Sequence, residues 1–297
     1  MLQSAAIRAA LLLLTPAAWA IAHLPAAPGL WIGRRVGDLA WALLPGRRAV
    51  ILENLRRAFG SERDAAELRR IGRGSLEHLG MNLVESCVFM FRPPARLLGR
   101  VELDGVEHVK DAAVQGRGVL LLTAHLGNWE LLAAAHVLTG LPLSVVLRPL
   151  DEPALDGVVD RLRKRTGAEL IVKRRALRDV LDALRRGRMV GILLDQNAAR
   201  AEGVFVPFFG TPASTLRSLA VLALRTEAPV VPVFIRRLAG GRHVVEIRPP
   251  VPPPADGDAA AFTARFNEAI EEAIRRAPEQ WFWLHRRWRT RPRAEAA

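Results

Sequence analysis

Residues Gly118 to Glu130, GVLLLTAHLGNWE, decide how the chain reads. The apolar run Val119–Leu122 predicts a strand buried on both faces, as in a parallel sheet. It stops at Thr123-Ala124, and His125 follows; Gly127-Asn128 breaks the pattern, and Trp129-Glu130-Leu131-Leu132 opens a helix. A histidine at the carboxyl end of such a strand stands where open α/β sheets bind ligands. Glu130 lies five residues on, and the glycine between lets the chain double back, so the expectation is an imidazole–carboxylate hydrogen bond. That pairing makes a base with its orienter. Neutral imidazole takes a proton from a hydroxyl and later returns it, while the carboxylate fixes the tautomer. With 7 His and 30 Asp+Glu in 297 residues, roughly 0.7 His-x4-acid matches arise by chance, so the surroundings must carry the argument.

Outward from this stretch, short apolar runs at 143–147, 189–194 and 230–235 alternate with amphipathic stretches at 129–139, 153–166, 175–186 and 214–226. This βαβα rhythm predicts one mostly parallel sheet flanked by helices. Val244–Ile247 adds a strand, Pro249–Pro254 reads as a stiff linker, and a last helix is expected over 258–276. Toward the amino terminus, 49–59 and 62–91 read as helices, the second opened by Ser61-x-x-Asp64 as a capping box. Before them, Ala9–Ile32 carries no charge except on His23 and is long enough to span a bilayer; Pro16, Pro25 and Pro28 interrupt it, so a kinked, half-inserted or interfacial anchor is equally expected. A retained membrane anchor over 1–48 is favoured over a signal peptide cleaved after Ala18-Trp19-Ala20, because the apolar character continues past that site. Residues 49–297 then form a single α/β domain with a helical lead-in over 49–100. Arg34, Arg35, Arg47 and Arg48 after the apolar run predict that the bulk of the chain is cytoplasmic.

The net charge is +13, and all but Lys110, Lys164 and Lys173 of the 43 basic residues are arginine. Such a surface favours acidic partners. Nucleic acid is disfavoured, since no helix-turn-helix or zinc-finger pattern is present. Anionic lipid at a membrane surface or an acidic carrier protein fits better, with Trp281, Trp283 and Trp288 set among arginines. The arginine-rich helix faces, Arg161 and Arg163 among them, read equally as plain solvated surface. The single cysteine, Cys87, excludes an intrachain disulfide and a cysteine-based zinc site. No metal motif is visible, and a G-x-S-x-G elbow is absent, which argues against a serine esterase.

Further polar residues follow the predicted strands on the rim where His125 sits: Arg148 after 143–147, and Asp195, Gln196 and Asn197 after 189–194. An arginine there holds a phosphate or polarises a carbonyl. Against this stands a reading in which Asp195 caps a helix and Arg148 is surface. Val204–Gly210, with Phe208, Phe209 and Gly210 at its end, is the most apolar loop and offers a slot for an alkyl chain, or simply packs on the core.

Taken together, Glu53-Asn54-Leu55, His125-Leu126-Gly127-Asn128-Trp129-Glu130, Arg148-Pro149, Asp195-Gln196-Asn197, Val204–Gly210 with Thr211-Pro212-Ala213, Pro229-Val230-Val231-Pro232 and Ala277–Arg287 (APEQWFWLHRR) resemble, in order and spacing, the lipid A biosynthesis acyltransferase family. The resemblance runs from about Glu53 to Pro292. It implies a glycerolphosphate-acyltransferase-like α/β fold. It also implies transfer of a fatty acyl chain from acyl carrier protein to a hydroxyl of a lipid A precursor, at the inner membrane with the site facing the cytoplasm. No covalent enzyme intermediate and no cofactor beyond the acyl thioester is expected. By the family's motif His125 is the general base and Glu130 its partner; Asn128, Arg148, Asp195, Gln196, Phe208, Phe209 and Gly210 are placed around the substrates. A backbone N–H near Gly127-Asn128, or Arg148, is the expected oxyanion donor. The alternatives are another lipid acceptor, a lysophospholipid or glycolipid acylated from coenzyme A, and a non-catalytic cationic membrane-binding protein.

Overall fold

The computed structural model describes residues 2–147, 149, 152–172 and 176–292. Four helices lead in: α1 (Leu2–His23), α2 (Ala26–Leu43), α3 (Pro45–Phe59) and α4 (Ala65–Phe91), followed by the single turn α5 (Ala95–Leu98). Then come β1 (Val101–Asp104), α6 (Val106–Ala113), β2 (Val119–Thr123), α7 (Trp129–Ala135), β3 (Leu143–Leu147), α8 (Pro153–Lys164), β4 (Glu169–Val172), α9 (Ala176–Arg185) and β5 (Met189–Leu193). A hairpin of β6 (Gly203–Phe208) and β7 (Thr211–Leu216) precedes α10 (Ser218–Thr226), β8 (Val230–Arg237), β9 (His243–Ile247) and α11 (Ala259–Arg276).

The main sheet has seven strands in the order β1-β9-β8-β2-β5-β3-β4. Every neighbouring pair is parallel except β8 with β9. β2 lies in the middle and all its residues are buried, as an unbroken apolar run requires when helices cover both faces. On one face Leu120, Leu122, Val190 and Ile192 pack with residues of α3, α9, α10 and α11. On the other, Val119, Leu121, Leu143 and Met189 pack with α6, α7 and α8. The chain leaves β2 for β3, then returns through β4 and α9 to insert β5 between them, so β2 and β5 end side by side with Thr123 opposite Leu193.

Several expectations shift. The helix expected over 214–226 starts at Ser218, because Thr211–Leu216 is taken as a strand by Gly203–Phe208. The apolar stretch Val204–Gly210 is thus half of a hairpin, closed by Phe209 and Gly210 with positive φ of 50° and 68°. α4 begins later than expected because Asp64, not Ser61, is its cap, accepting from the backbone N–H of Glu67. α3 runs across residue 48, where the lead-in was divided from the anchor.

The apolar run 9–32 does not form one rod: it breaks between His23 and Ala26. Among the described residues no helix is long and apolar enough to cross a membrane. Leu24 and Pro25 separate the two helices, Pro25 being the N-cap of α2. α2 instead lies along α4 in close contact: a Cβ on Gly37 would stand 2.4 Å from Glu77 Cα, so only glycine permits that approach. Leu13, Leu14, Trp19, Trp31, Leu39 and Leu43 remain exposed on this helical pair.

The end of the chain is tied back to its beginning. Asn54 of α3 is buried and donates from Nδ2 to the carbonyl oxygens of Trp283 (2.8 Å) and His285 (2.7 Å). Asn54→Ala leaves both carbonyls unpaired and is expected to lower the unfolding free energy by about 2–4 kcal/mol, measured by chemical denaturation.

Candidate active site

His125 lies two residues beyond β2, and Asp195 two beyond β5. Because Thr123 and Leu193 are in register, parallel pairing brings the two side chains to the same height. The ring Nδ1 is 2.8 Å from Asp195 Oδ1, and the backbone N–H of His125 donates to Oδ2 at 2.9 Å. Trp281 completes the set, its indole N–H donating to Oδ2 at 2.7 Å. Asp195 is fully buried. Burial alone would raise its carboxyl, but attraction to the imidazole and the hydrogen bonds from His125 and Trp281 outweigh it and hold the group below its ordinary value. With Nδ1 on the carboxylate, Nε2 is the ring nitrogen turned away from it. The imidazole is about one-fifth exposed (21% of its side chain), and Gln196 sets its amide nitrogen 3.5 Å from Nε2.

Glu130 is elsewhere. Its two oxygens accept from Arg163 of α8, at 3.0 Å from Nη2 and 3.3 Å from Nε, so the expected His125–Glu130 hydrogen bond is replaced by His125–Asp195. The reason is helical phase. α7 starts at Trp129, which turns its ring edge-on to the imidazole with centroids 5.2 Å apart. Glu130, one position further round, faces α8. Arg163, counted with the solvated arginine faces, is thereby half-buried in an ion pair.

The turn between β2 and α7 is held from behind. Gly127 has φ 57°, and a Cβ there would meet the Ile235 carbonyl oxygen at 2.2 Å, so only glycine fits. Its N–H donates to Gln280 O at 3.0 Å, which removes it as an oxyanion donor. Its carbonyl accepts from Asn82 Nδ2 at 2.6 Å. Asn128, expected to touch substrate, uses both ends of its amide inside the fold: Oδ1 caps α7 through the Leu131 N–H, and Nδ2 donates to Glu85 Oε2 at 2.7 Å. Glu85 is itself buried between Arg237, which grips both its oxygens, and His243, whose Nε2 is 2.9 Å from Oε1. Burial raises the Glu85 carboxyl, but the charge of Arg237 and the bonds from His243 and Arg237 prevail, and its pKa falls to about 2.

The closing segment forms the remaining wall. Phe282 N–H donates to His125 O at 3.0 Å, and its ring lies 6.1 Å from the imidazole. His285 Nε2 accepts from Asn197 N–H at 2.9 Å, and burial pushes its pKa down to about 4. Arg287 is fully buried, donating to Ser214 O and Thr215 Oγ1 and stacked on Phe208. Phe208 and Phe209 are core residues, Phe208 packed on Trp281 rather than lining an open slot. Arg148 lies outside the described residues.

The sequence model of the bacterial lipid A biosynthesis acyltransferases matches residues 4–290. The chain belongs to this family. It is 32% identical to the lipid A biosynthesis lauroyltransferase of Escherichia coli (strain K12) over 92% of this chain and 89% of the relative. To the palmitoleoyltransferase of the same organism it is 30% identical, over 94% and 90%, and to the myristoyltransferase 26% identical, over 88% and 81%. The relatives are O-acyltransferases, and this chain is an enzyme of that class acting in lipid A biosynthesis.

In this acyltransferase, sequence reasoning missed Trp281, Gln280, Asn82, Glu85, Arg237 and His243 as supports of the histidine turn. Gln280 and Trp281 were visible within the closing motif, but nothing in their spacing pointed to residue 125. Because Glu85 and Asp195 titrate lower in the folded than in the unfolded chain, their stabilisation is present above the ordinary values, 4.5 for the glutamate and 3.8 for the aspartate. It is lost as pH falls toward about 2 for Glu85. Glu85→Gln should destabilise the fold by about 3–5 kcal/mol at neutral pH and flatten the acid limb of a stability-against-pH curve measured by urea unfolding.

Proposed function

We infer that this enzyme moves a fatty acyl chain from an acyl carrier protein thioester to a hydroxyl of a lipid A precursor, with His125 as general base and no acyl-enzyme intermediate. The observation that carries this is the partly exposed imidazole just beyond β2, with Nδ1 on a buried carboxylate and Nε2 turned away from it. The acceptor O–H gives its proton to Nε2 as its oxygen attacks the thioester carbonyl carbon. The tetrahedral oxyanion collapses, the C–S bond breaks, and the imidazolium returns the proton to the departing thiolate. Ester and free thiol result, and the ring is neutral again. Asp195 holds the ring and stabilises the imidazolium. The Gln196 amide beside Nε2 is the side-chain donor best placed for the oxyanion. Glu130 acts through Arg163, bracing α7 against α8 beside the base.

The donor and the location follow from charge and surface. A chain of net charge +13 suits an acidic carrier and the anionic inner-membrane surface. The exposed Leu13, Leu14, Trp19 and Trp31 beside Arg34 and Arg35 support an anchor whose α1 and α2 lie in the membrane interface, with the site toward the cytoplasm.

His125→Ala should lower kcat by roughly a hundred- to ten-thousand-fold, Asp195→Asn nearly as much, and Glu130→Gln less than either. Gln196→Ala should cost roughly a hundred- to a thousandfold in kcat. The check is a thioester-consumption assay, offering carrier-protein and coenzyme A donors side by side, with the product weighed by mass spectrometry. Near-wild-type transfer by His125→Ala would refute the assignment, and preference for coenzyme A would refute the donor.

A further inference from the structure

Along α4, Arg69, Arg70, Arg73, Glu77, His78 and Met81 recur at helical spacing, which puts them on one face of the helix. Together with Arg34 and Trp41 of α2 and Glu279 of the 3-10 turn Pro278–Gln280, they line an open basin of about 630 Å³. Small-molecule sites run from about 300 to 1,000 Å³, so the basin has room for a lipid headgroup. The two helices run antiparallel, Gly33 against Met81 and Gly37 against Glu77. Arg34 therefore stands at one end of the basin and Arg69 and Arg70 at the other, roughly 15 Å away at the rise of a helix. Trp41 lies against Gly72, at the arginine-rich end.

Four arginines and two carboxylates face this space, and the arginines are unevenly satisfied. Arg73 is held by Asp38 of α2 at 2.7 Å and by Glu77 at 3.3 Å. Arg70 has only Glu67, at 3.7 Å, among the described residues. Arg69 and Arg34 make no hydrogen bond or ion pair among them. His78 adds no positive charge: burial, with the nearby charges of Arg237 and Arg34, lowers its pKa to about 3. The basin's positive charge is thus arginine's alone, and it is least compensated at Arg69 and Arg70.

We propose that this basin binds the phosphate of an anionic membrane phospholipid, between Arg69, Arg70 and Trp41, and so fixes how the helical lead-in sits on the bilayer. The proposal rests on the reading above that α1 and α2 lie in the membrane interface. Charge complementarity names the chemistry, since guanidinium forks match phosphate oxygens. Position names the source. α2 carries exposed Trp31, Leu39 and Leu43, and a helix sunk by such residues to the boundary of the acyl chains holds its polar flank at the level of the headgroups. Trp41, an indole beside the arginines, suits that same level. The basin is separate from the catalytic site: none of the side chains set around His125 lines it. It stops at Met81 and Glu279, each one residue short of Asn82 and Gln280, which hold the carbonyl and N–H of Gly127 from behind. A lipid bound here is an anchor point at the back of the histidine loop rather than a reactant.

The test is sedimentation of the full chain with vesicles of phosphatidylcholine, with and without phosphatidylglycerol, at fixed ionic strength. Wild type is compared with Arg69→Gln/Arg70→Gln and with Arg178→Gln/Arg225→Gln, which removes the same charge from exposed positions on α9 and α10; a thermal melt establishes folding. Affinity for the phosphatidylglycerol vesicles should fall about twenty-five-fold in the first pair, about fivefold for each arginine, and at most about twofold in the second. Single Arg69→Gln, at a side chain without a partner, keeps the measurement open should the pair not fold. Equal losses in both pairs would reduce the effect to net charge and overturn the site. Inorganic phosphate that raises the melting temperature of wild type but not of the first pair, with vesicle binding unchanged between them, would make free phosphate the occupant and overturn the lipid. Unchanged vesicle binding with a raised KM for the lipid A precursor would make the acceptor the occupant and overturn it equally. Failure of the wild type to bind either vesicle would refute the interfacial reading itself, and the proposal with it.

Discussion

One buried carboxylate organises this molecule. Asp195 is sealed from water and accepts from a ring nitrogen, a backbone amide and an indole. A carboxylate buried without partners is costly, and one with fewer donors would take up a proton. The three donors come from parts of the chain far apart in sequence: the end of β2 and the closing segment at Trp281. Satisfying one acid therefore fixes the orientation of the imidazole, the pairing of β2 with β5 at their carboxyl ends, and the docking of the last residues onto the sheet.

A second polar knot lies behind the first. Glu85, Arg237, His243, Asn82 and Gln280 contribute nothing to the ring directly, yet Asn82, Asn128 and Gln280 occupy the N–H and carbonyl of Gly127 and the helix start that follows. The loop that carries His125 is pinned at both its backbone polar groups. A side chain on a loop keeps one orientation only when a rigid scaffold places it, and here the scaffold is polar rather than apolar.

Much of the architecture was legible because periodicity reports burial. The all-apolar run before His125, its echoes at 143–147 and 189–194, and the intervening amphipathic stretches follow directly from a sheet covered on both faces. The strand Val101–Asp104 was not recognised, since an edge strand half open to solvent alternates over too few residues to stand out. The hairpin at 203–216 was missed because Pro207 and Pro212 argue against strands; they pair opposite each other outside the main sheet. At the site, position 125 was readable and its partner was not. Sequence proximity pointed to Glu130, but helical phase turns that residue toward Arg163, and only the register of two parallel strands selects Asp195. The long-range ties of Asn54, Gln280 and Trp281 leave no local signature, because a hydrogen bond to a remote backbone imposes no spacing.

The docking of Trp281 and Phe282 on the histidine loop sets an order of events during synthesis. Residue 281 must have been translated before the acid beside His125 acquires its indole donor, 86 residues further along the chain. The carboxylate of Asp195 therefore gains its full set of donors only once the segment at 281 is docked on the rim of the sheet.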